Sequence, residues 1–208
     1  MYRHLPNSLT ILRLVLAAVF FVVLNQYRYP NGPTWALWTA VAVFVLAALT
    51  DWLDGYLARK WDVETAFGRI MDPVCDKVLV IGAFLYLAAP PFVDPALVRA
   101  DRFLTMVSGV YPWMVALMLA RELLVTGIRG ELEAKGVVFG ANIWGKLKTV
   151  FQLVSIPLVI GIIVGDPQNH VWLAWTRDVI VYATIVVTVV SGLPYVTSAV
   201  RAVGRDEG

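Results

Sequence analysis

Residues 51–76 read DWLDGYLARKWDVETAFGRIMDPVCD and place four aspartates between two long apolar runs. A carboxylate inside or beside the hydrocarbon region of a membrane costs about 3 kcal/mol on insertion scales, so such a residue marks a candidate functional site. Four carboxylates in one small volume also repel one another unless cations hold them. The stretch therefore predicts a metal-dependent site at the edge of a membrane.

The composition of the whole chain is that of a membrane protein. Of its 208 residues, 59% are hydrophobic and 15% are charged, which leaves too little polar surface for a soluble domain of this length. The single cysteine, Cys75, excludes an intramolecular disulfide and the cysteine-rich zinc patterns. A net charge of +2 is too small to indicate a nucleic-acid partner.

Apolar runs long enough to cross a bilayer, about 20 residues each, predict six transmembrane helices. They cover about residues 9–27, 34–57, 70–90, 103–127, 145–165 and 171–200. The first residues, MYRHLPNSLTILR, predict a short interfacial helix that leads into the first span. The expected fold is an all-α integral membrane protein with one membrane-embedded domain over residues 1–208.

The distribution of basic residues predicts the orientation of these spans. Of the 17 Lys and Arg residues, all but four lie on or near the side that holds both termini and the connections near 58–69 and 128–144. The four on the other side are Arg28, Arg99, Arg102 and Arg177. Since Lys and Arg are enriched on the cytoplasmic side, both termini and the aspartates are expected to face the cytoplasm from the inner membrane.

Helical spacing groups the aspartates into two stripes. The first, at i, i+3, i+4 and i+7, consists of Asp51, Asp54, Gly55 and Ala58, and the second, at i, i+4 and i+8, consists of Gly68, Asp72 and Asp76. The short connection between them predicts antiparallel neighbouring helices whose stripes face each other. Sites built only from carboxylates suit Mg²⁺ or Mn²⁺, singly or as a pair. Solvated helix ends are the alternative, but they do not require two matched acidic stripes with small residues between them.

At these residues the chain resembles the CDP-alcohol phosphotransferases, whose signature D-x2-D-G-x2-A-R-x8-G-x3-D-x3-D stands complete from Asp51 to Asp76. The resemblance implies six transmembrane helices, a cytoplasm-facing site with two divalent cations, Mg²⁺ or Mn²⁺, and a homodimer. It implies that the four aspartates ligate the cations and that Asp76 is also the general base. It further implies that the CDP pocket is shaped by Gly55, Ala58, Arg59 and Gly68 and bordered by Asn7, Thr10 and Thr65. Helix capping and turn chemistry are the alternative roles of Asn7, Thr10 and Thr65.

Two further stretches resemble the phosphatidylglycerophosphate synthase branch of that family: LPNSLTILR at 5–13 and RELLVTGIRGELEAKGVVFGANIWGKLKTVFQ at 121–152. That branch transfers the phosphatidyl group of CDP-diacylglycerol to sn-glycerol 3-phosphate and releases CMP. Candidate residues for binding the acceptor phosphate are Arg121, Arg129, Lys146 and Lys148, because Arg and Lys side chains are the usual hydrogen-bond donors to phosphate groups. Topology alone would also place basic residues at these cytoplasmic helix ends.

Two classes of alternative stay open. The acceptor could be inositol phosphate, phosphatidylglycerol or serine, although serine lacks the phosphate that the basic residues would bind. An ion or proton transporter is the remote alternative, because intramembrane carboxylates also line ion pathways. A transporter predicts carboxylates near the bilayer midplane and inverted repeats, whereas here the acids gather at one end of the spans and the sequence shows no repeat.

Overall fold

The computed structural model describes residues 5–61, 66–134, 143–166 and 170–206, and eight α-helices occupy most of this part of the chain. The long helices are α1 (Leu5–Leu24), α2 (Thr34–Trp61), α3 (Ala66–Leu87), α5 (Pro112–Ala134), α6 (Ile143–Val164) and α7 (Val171–Val190). The shorter ones are α4 (Pro95–Arg99) and α8 (Leu193–Asp206). Within the described ranges, extended segments meet only at an isolated bridge between Val93 and Met106. The prediction of an all-helical chain is therefore confirmed.

Helix α1 packs against both α2 and α3 through its aromatic side chains. The ring of Phe20 lies 5.6 Å from that of Phe44 on α2, and Phe21 stacks on Tyr86 of α3 at 5.2 Å. The approach of Phe21 depends on Gly82, because a Cβ at that position would lie 2.4 Å from the tip of the Phe21 ring. Helix α1 thus fixes the relative positions of the two helices that carry the aspartates.

Helix α6 joins this part of the bundle to the C-terminal helices. It contacts α2, α3 and α7, while α5 contacts α3, α7 and α8. The buried face of α6 includes Ile156, Val159 and Ile160. One polar bond lies among these apolar contacts, donated at 3.2 Å by the Gln152 amide nitrogen to the hydroxyl of Thr188 on α7. A buried amide requires such a partner, so this bond fixes how α6 and α7 face each other.

The outside of the bundle is apolar, as expected of a membrane protein. Large apolar side chains are exposed on most of the long helices, among them Val22, Leu49, Leu85, Leu158 and Val179. A surface of this kind is unfavourable in water and favourable in lipid. Among the described residues, three helical stretches are long and apolar enough to cross a bilayer: Thr34–Asp51, Ile143–Val164 and Val171–Ala199. The membrane character is therefore confirmed, while the number of six spans stays a prediction.

Three of the exposed tryptophans lie at one end of the bundle. Trp35, Trp113 and Trp172 lie in the first turns of α2, α5 and α7, and each is more than half exposed. Aromatic residues of this kind are enriched where a membrane meets water. Asp51 lies 17 residues after Thr34 along α2, about 25 Å away at 1.5 Å per residue. The aspartates and this tryptophan-bearing end are thus separated by most of the thickness of a hydrocarbon core, which is about 30 Å.

One predicted span boundary was wrong. The fourth span was expected at 103–127, but helix α5 begins at Pro112. The chain before it folds back on the end of α3, where the Asp94 N–H donates to Thr105 O at 2.8 Å and the Val107 N–H donates to Phe92 O at 2.9 Å. Gly109, at φ 69°, turns the chain towards α5. Hydropathy records that residues 103–111 are largely apolar, but it does not record backbone conformation.

The sixth predicted span, 171–200, agrees with the apolar helical stretch Val171–Ala199, which contains one turn. Helix α7 ends at Val190, and α8 starts at Leu193 after the turn Ser191–Gly192. Pro194 lies in the first turn of α8, where proline is tolerated because the missing N–H would have no partner inside the helix. At the other terminus, Leu5–Leu24 is one continuous helix. The expected N-terminal interfacial helix is therefore not a separate element in the described chain, and its interfacial position stays a prediction.

Candidate active site

The signature residues lie on two helices, as the spacing predicted. The C-terminal half of α2 carries Asp51, Asp54, Gly55, Ala58 and Arg59, whereas α3 carries Gly68, Asp72 and Asp76. Asp51 is the one signature residue whose side chain can be located. Thr65 lies outside the described residues, and the other signature side chains and that of Asn7 lie outside the described side chains. That the two acidic stripes, one on α2 and one on α3, face each other stays a prediction.

Asp51 is held by a buried arginine that the sequence reading did not assign to the site. The Arg13 guanidinium on α1 lies 2.6 Å from an Asp51 carboxylate oxygen, with Nη1 nearest Oδ1. The Arg13 side chain is only 1% exposed, whereas that of Asp51 is 40% exposed. A buried guanidinium needs a counter-charge, and Asp51 provides it while keeping an open side.

The sequence did hold a signal for Arg13. A charged residue within an apolar run is a functional candidate by default, but the sequence reading used Arg13 only to orient the spans. Thr10, one turn earlier on the same face of α1, is also buried. The structure therefore brings Thr10 and Arg13 to the side of α1 that faces the interior, next to the first signature aspartate.

A second polar cluster joins α5, α6 and the α7–α8 turn. Arg121 donates from Nη1 to Glu122 Oε1 at 3.0 Å and from Nη2 to the Ser191 hydroxyl at 2.9 Å. Lys148 on α6 donates to the same Glu122 oxygen. The side chains of Arg121, Glu122 and Lys148 are 9%, 9% and 13% exposed. We call these four residues the Glu122 cluster, and its two cations and one anion leave a formal surplus of one positive charge.

The four predicted phosphate residues do not all join this cluster. Arg121 and Lys148 are members, whereas Lys146 and Arg129 are exposed at the surface. Lys146 precedes Lys148 by two residues, about 200° around the helix at 3.6 residues per turn, so the two lysines point to opposite sides of α6. Glu122 and Ser191 are the members that the phosphate prediction left out. No spacing rule predicts Ser191, which comes 70 residues after Arg121 in the chain.

A polar cavity connects the cluster to the signature helix. It measures about 160 Å³ and is lined by Lys77, Val80, Ile81, Glu122, Lys148, Thr149 and Gln152. Lys77 follows Asp76 directly in the sequence, and its ammonium donates to the Thr126 hydroxyl on α5 at 2.8 Å. The cavity therefore starts one residue from the last signature aspartate and ends at Lys148, one of the predicted phosphate residues. A small polar acceptor could reach both from this space.

Most of the chain, including the signature helices, matches a known family. The model of the family described as CDP-alcohol phosphatidyltransferase matches residues 3–190. The chain belongs to the CDP-alcohol phosphatidyltransferase family. The match includes α1 to α7, so the signature, Arg13 and the Glu122 cluster except Ser191 all lie inside it.

Curated relatives match most of the chain. The CDP-diacylglycerol--glycerol-3-phosphate 3-phosphatidyltransferase of Bacillus subtilis is 32% identical over 92% of this chain and 93% of its own length. The protein of the same name from Escherichia coli K12 is 30% identical over 96% of both chains. A third, from Cereibacter sphaeroides, is 37% identical over 74% of this chain, and the match covers 62% of that relative's length.

Only part of the metal prediction falls on described side chains. Among the described residues, no group of three or more His, Cys, Asp or Glu side chains is placed to hold a metal ion. Asp51 is the one predicted ligand whose side chain is described, and its carboxylate is partly open. Helix α2 carries a second aspartate, Asp54, three residues after Asp51. Two carboxylates at this spacing are oxygen donors of the kind that hard divalent cations prefer.

Proposed function

We propose that this protein is a phosphatidylglycerophosphate synthase, which transfers the phosphatidyl group of CDP-diacylglycerol to sn-glycerol 3-phosphate and releases CMP. The observation that carries the choice of acceptor is the position of the Glu122 cluster, whose surplus positive charge borders a cavity that begins beside Asp76. A phosphorylated acceptor supplies the negative charge that complements this cluster. The Bacillus and Escherichia relatives, which are named as glycerol-3-phosphate 3-phosphatidyltransferases, support the same acceptor.

On this proposal the four signature aspartates, Asp51, Asp54, Asp72 and Asp76, hold two divalent cations, Mg²⁺ or Mn²⁺. Bound there, the cations act as Lewis acids on the diphosphate of the CDP-lipid. Arg13 fixes the Asp51 carboxylate from the buried side through the 2.6 Å ion pair, so that its open side faces the site. Positioning of this kind is the main contribution of a protein to phosphoryl transfer.

The remaining residues divide between the two substrates. Gly55, Ala58, Arg59 and Gly68 shape the CDP pocket, with Asn7, Thr10 and Thr65 at its border. Arg121, Lys146, Arg129 and Lys148 are the candidates for binding the acceptor phosphate. Arg121 and Lys148 are favoured because they belong to the Glu122 cluster. Asp76 takes the proton from the acceptor hydroxyl as that oxygen attacks the lipid-bearing phosphorus and CMP leaves. The negative charge that develops on the phosphoryl oxygens lies near the positive cluster, which stabilises it.

The proposed membrane arrangement uses the six long helices as six spans. Helices α1, α2, α3, α5, α6 and α7 cross the bilayer, both termini and the aspartates face the cytoplasm, and the protein lies in the inner membrane as a homodimer. Supporting observations are the basic bias of the aspartate end and the exposed tryptophans of the opposite end. CDP-diacylglycerol enters from the cytoplasmic leaflet, and its acyl chains remain among the helices.

The decisive experiment measures CMP release by the purified protein with CDP-diacylglycerol and each acceptor in turn. Release with glycerol 3-phosphate, but not with inositol phosphate, phosphatidylglycerol or serine, is the expected result. Chelation with EDTA should stop the release, and Mg²⁺ or Mn²⁺ should restore it. Release with another acceptor would overturn the role of the Glu122 cluster in binding the acceptor phosphate. It would still support the transfer of the phosphatidyl group from CDP-diacylglycerol. Absence of metal-dependent release with every acceptor would refute the proposed reaction.

A further inference from the structure

The end of the bundle opposite the aspartates carries a cavity that the proposed reaction does not use. It measures about 630 Å³ and lies between the α1–α2 loop and the segment that follows α3. Its polar lining residues are Arg28, Tyr29 and Arg99, and its apolar lining includes Pro91, Val93 and Val98. None of the described residues that line it is acidic. Two arginines thus flank one apolar space at the level of the exposed tryptophans.

Backbone hydrogen bonds hold the walls of this cavity in place. The Tyr29 N–H donates to Pro91 O at 2.9 Å and joins the two loops that form the cavity. The turn that presents Arg28 is closed by the bond from the Gly32 N–H to Arg28 O, at 2.6 Å. A Cβ on Gly32 would lie 2.4 Å from Arg28 N, so glycine is required there. The site is therefore largely preformed, which lowers the entropic cost of binding a ligand.

The charged side chains that line this cavity are both positive, whereas the carboxylates near Tyr29 are not among the lining residues. Asp94 is the nearest acid in the sequence to the cavity-lining Val93 and Pro95, but it is buried and its carboxylate accepts a hydrogen bond from the Ala96 N–H at 2.8 Å. Burial, followed by Asp94 and Asp166, raises the pKa of Tyr29 to about 12, so its hydroxyl stays protonated at neutral pH. Two guanidinium groups and a neutral hydroxyl therefore border the space.

The other arginines at this end serve as a comparison. Arg177 is buried and donates to Val107 O and to Asp178 Oδ1, each at 2.8 Å, so it stabilises the fold. Arg102 is exposed and does not line the cavity. A single exposed arginine at a membrane interface needs no ligand, because its side chain can extend to water. Arg28 and Arg99 differ because they come from separate loops and border the same apolar space.

We propose that this cavity binds one anionic phospholipid of the leaflet opposite the active site. The phosphate lies between the Arg28 and Arg99 guanidinium groups, and an acyl chain lies along Val93 and Val98. Val98 is half-exposed and Phe103, on the same segment, is 95% exposed, so the apolar lining continues into the lipid-facing surface. Basic pockets of membrane proteins recognise anionic headgroups in this way. The inference uses the membrane setting of the bundle but not its reaction.

The test uses a fluorophore placed beside the cavity and lipids that quench it. Ala96→Cys supplies an exposed thiol on α4, while the natural Cys75 is buried and does not react. The labelled full-length protein is placed in nanodiscs that contain dibrominated phosphatidylglycerol or dibrominated phosphatidylcholine at the same mole fraction. Because the label lies beyond the far end of α3, whose stretch from Asp76 to Leu87 is about 17 Å long at 1.5 Å per residue, lipid bound at the active site should not quench it.

Phosphatidylglycerol should be enriched near the label about 10- to 30-fold over phosphatidylcholine, since each basic residue near an anionic lipid contributes about 1 kcal/mol. The double variant Arg28→Gln/Arg99→Gln should bring the ratio close to one, while the control Arg102→Gln should leave it unchanged. Both variants should keep their CMP release, which is measured separately. Equal quenching by the two lipids, or a preference that survives the double variant, would overturn the proposal. Displacement by inorganic phosphate would overturn the lipid assignment and indicate a free-anion site.

Discussion

Lys146 and Lys148 offer a matched test of the acceptor site, because they lie on one helix and differ in where they point. Lys148 is 13% exposed and donates to Glu122, whereas Lys146 is exposed on the other side of α6. A methionine at either position keeps a long, unbranched side chain and removes the positive charge of the lysine. We expect Lys148→Met to raise the KM for glycerol 3-phosphate and Lys146→Met to leave it nearly unchanged.

The size of the effect follows from the contact that is lost. A hydrogen bond to a charged group contributes about 1.5–3 kcal/mol, and a factor of ten corresponds to about 1.4 kcal/mol. Lys148→Met should therefore raise the acceptor KM about 10- to 150-fold, with the KM for CDP-diacylglycerol changed less than threefold. Glu122 keeps Arg121 as a partner at 3.0 Å, so the variant loses one ion pair and leaves no buried charge without a partner.

The assay is CMP release in detergent–lipid micelles, with one substrate varied while the other is saturating. Thermal unfolding of both variants, followed by circular dichroism, serves as the control for folding. Equal effects of the two substitutions on the acceptor KM would refute the assignment, because they would show that the buried position of Lys148 is irrelevant. A larger effect of Lys146→Met would place the phosphate on the exposed side of α6.

Three further predictions concern the signature helices and their support. Asp76→Asn should abolish CMP release while circular dichroism and membrane insertion stay normal, and measurable turnover in this variant would remove its role as the base. Arg13→Met should lower the free energy of unfolding by about 1–3 kcal/mol. This value lies between the ranges for exposed and buried ion pairs, because the Asp51 side chain is 40% exposed. An unchanged Tm would contradict the role of Asp51 as the counter-charge of Arg13. Gly82→Ala should destabilise the protein through the 2.4 Å approach to Phe21, and the loss should shrink in the double variant with Phe21→Leu, as a thermodynamic cycle of unfolding free energies would measure. Additive losses would show that the two positions do not touch.

Part of the candidate site was predictable from local spacing alone. The positions of Asp51, Asp54, Asp72 and Asp76 on two successive helices follow from periodicity along a continuous chain, and α2 and α3 have that arrangement. The expected excess of basic residues at the aspartate end of the bundle also follows from counting Lys and Arg along the sequence. Both are properties of neighbouring residues, which is the information that sequence patterns carry.

Other parts could not be predicted because they depend on residues distant in sequence. Lys146 and Lys148 look equivalent as a basic pair, but only the tertiary position of α6 makes one of them a partner of Glu122. The turn at Ser191–Gly192 within the last predicted span places the Ser191 hydroxyl on Arg121, which hydropathy does not record.

The sequence by itself determined the membrane class, the all-helical fold and the acidic signature, because composition and helical period are local quantities. Tertiary structure decided which charges meet: Arg13 with Asp51 across α1 and α2, and Arg121 and Lys148 through Glu122. It also decided that Arg28 and Arg99 border one cavity. The physical reason is that an ion pair or a binding pocket requires contact in space, and the contacts that form are selected by how apolar helix faces pack against one another.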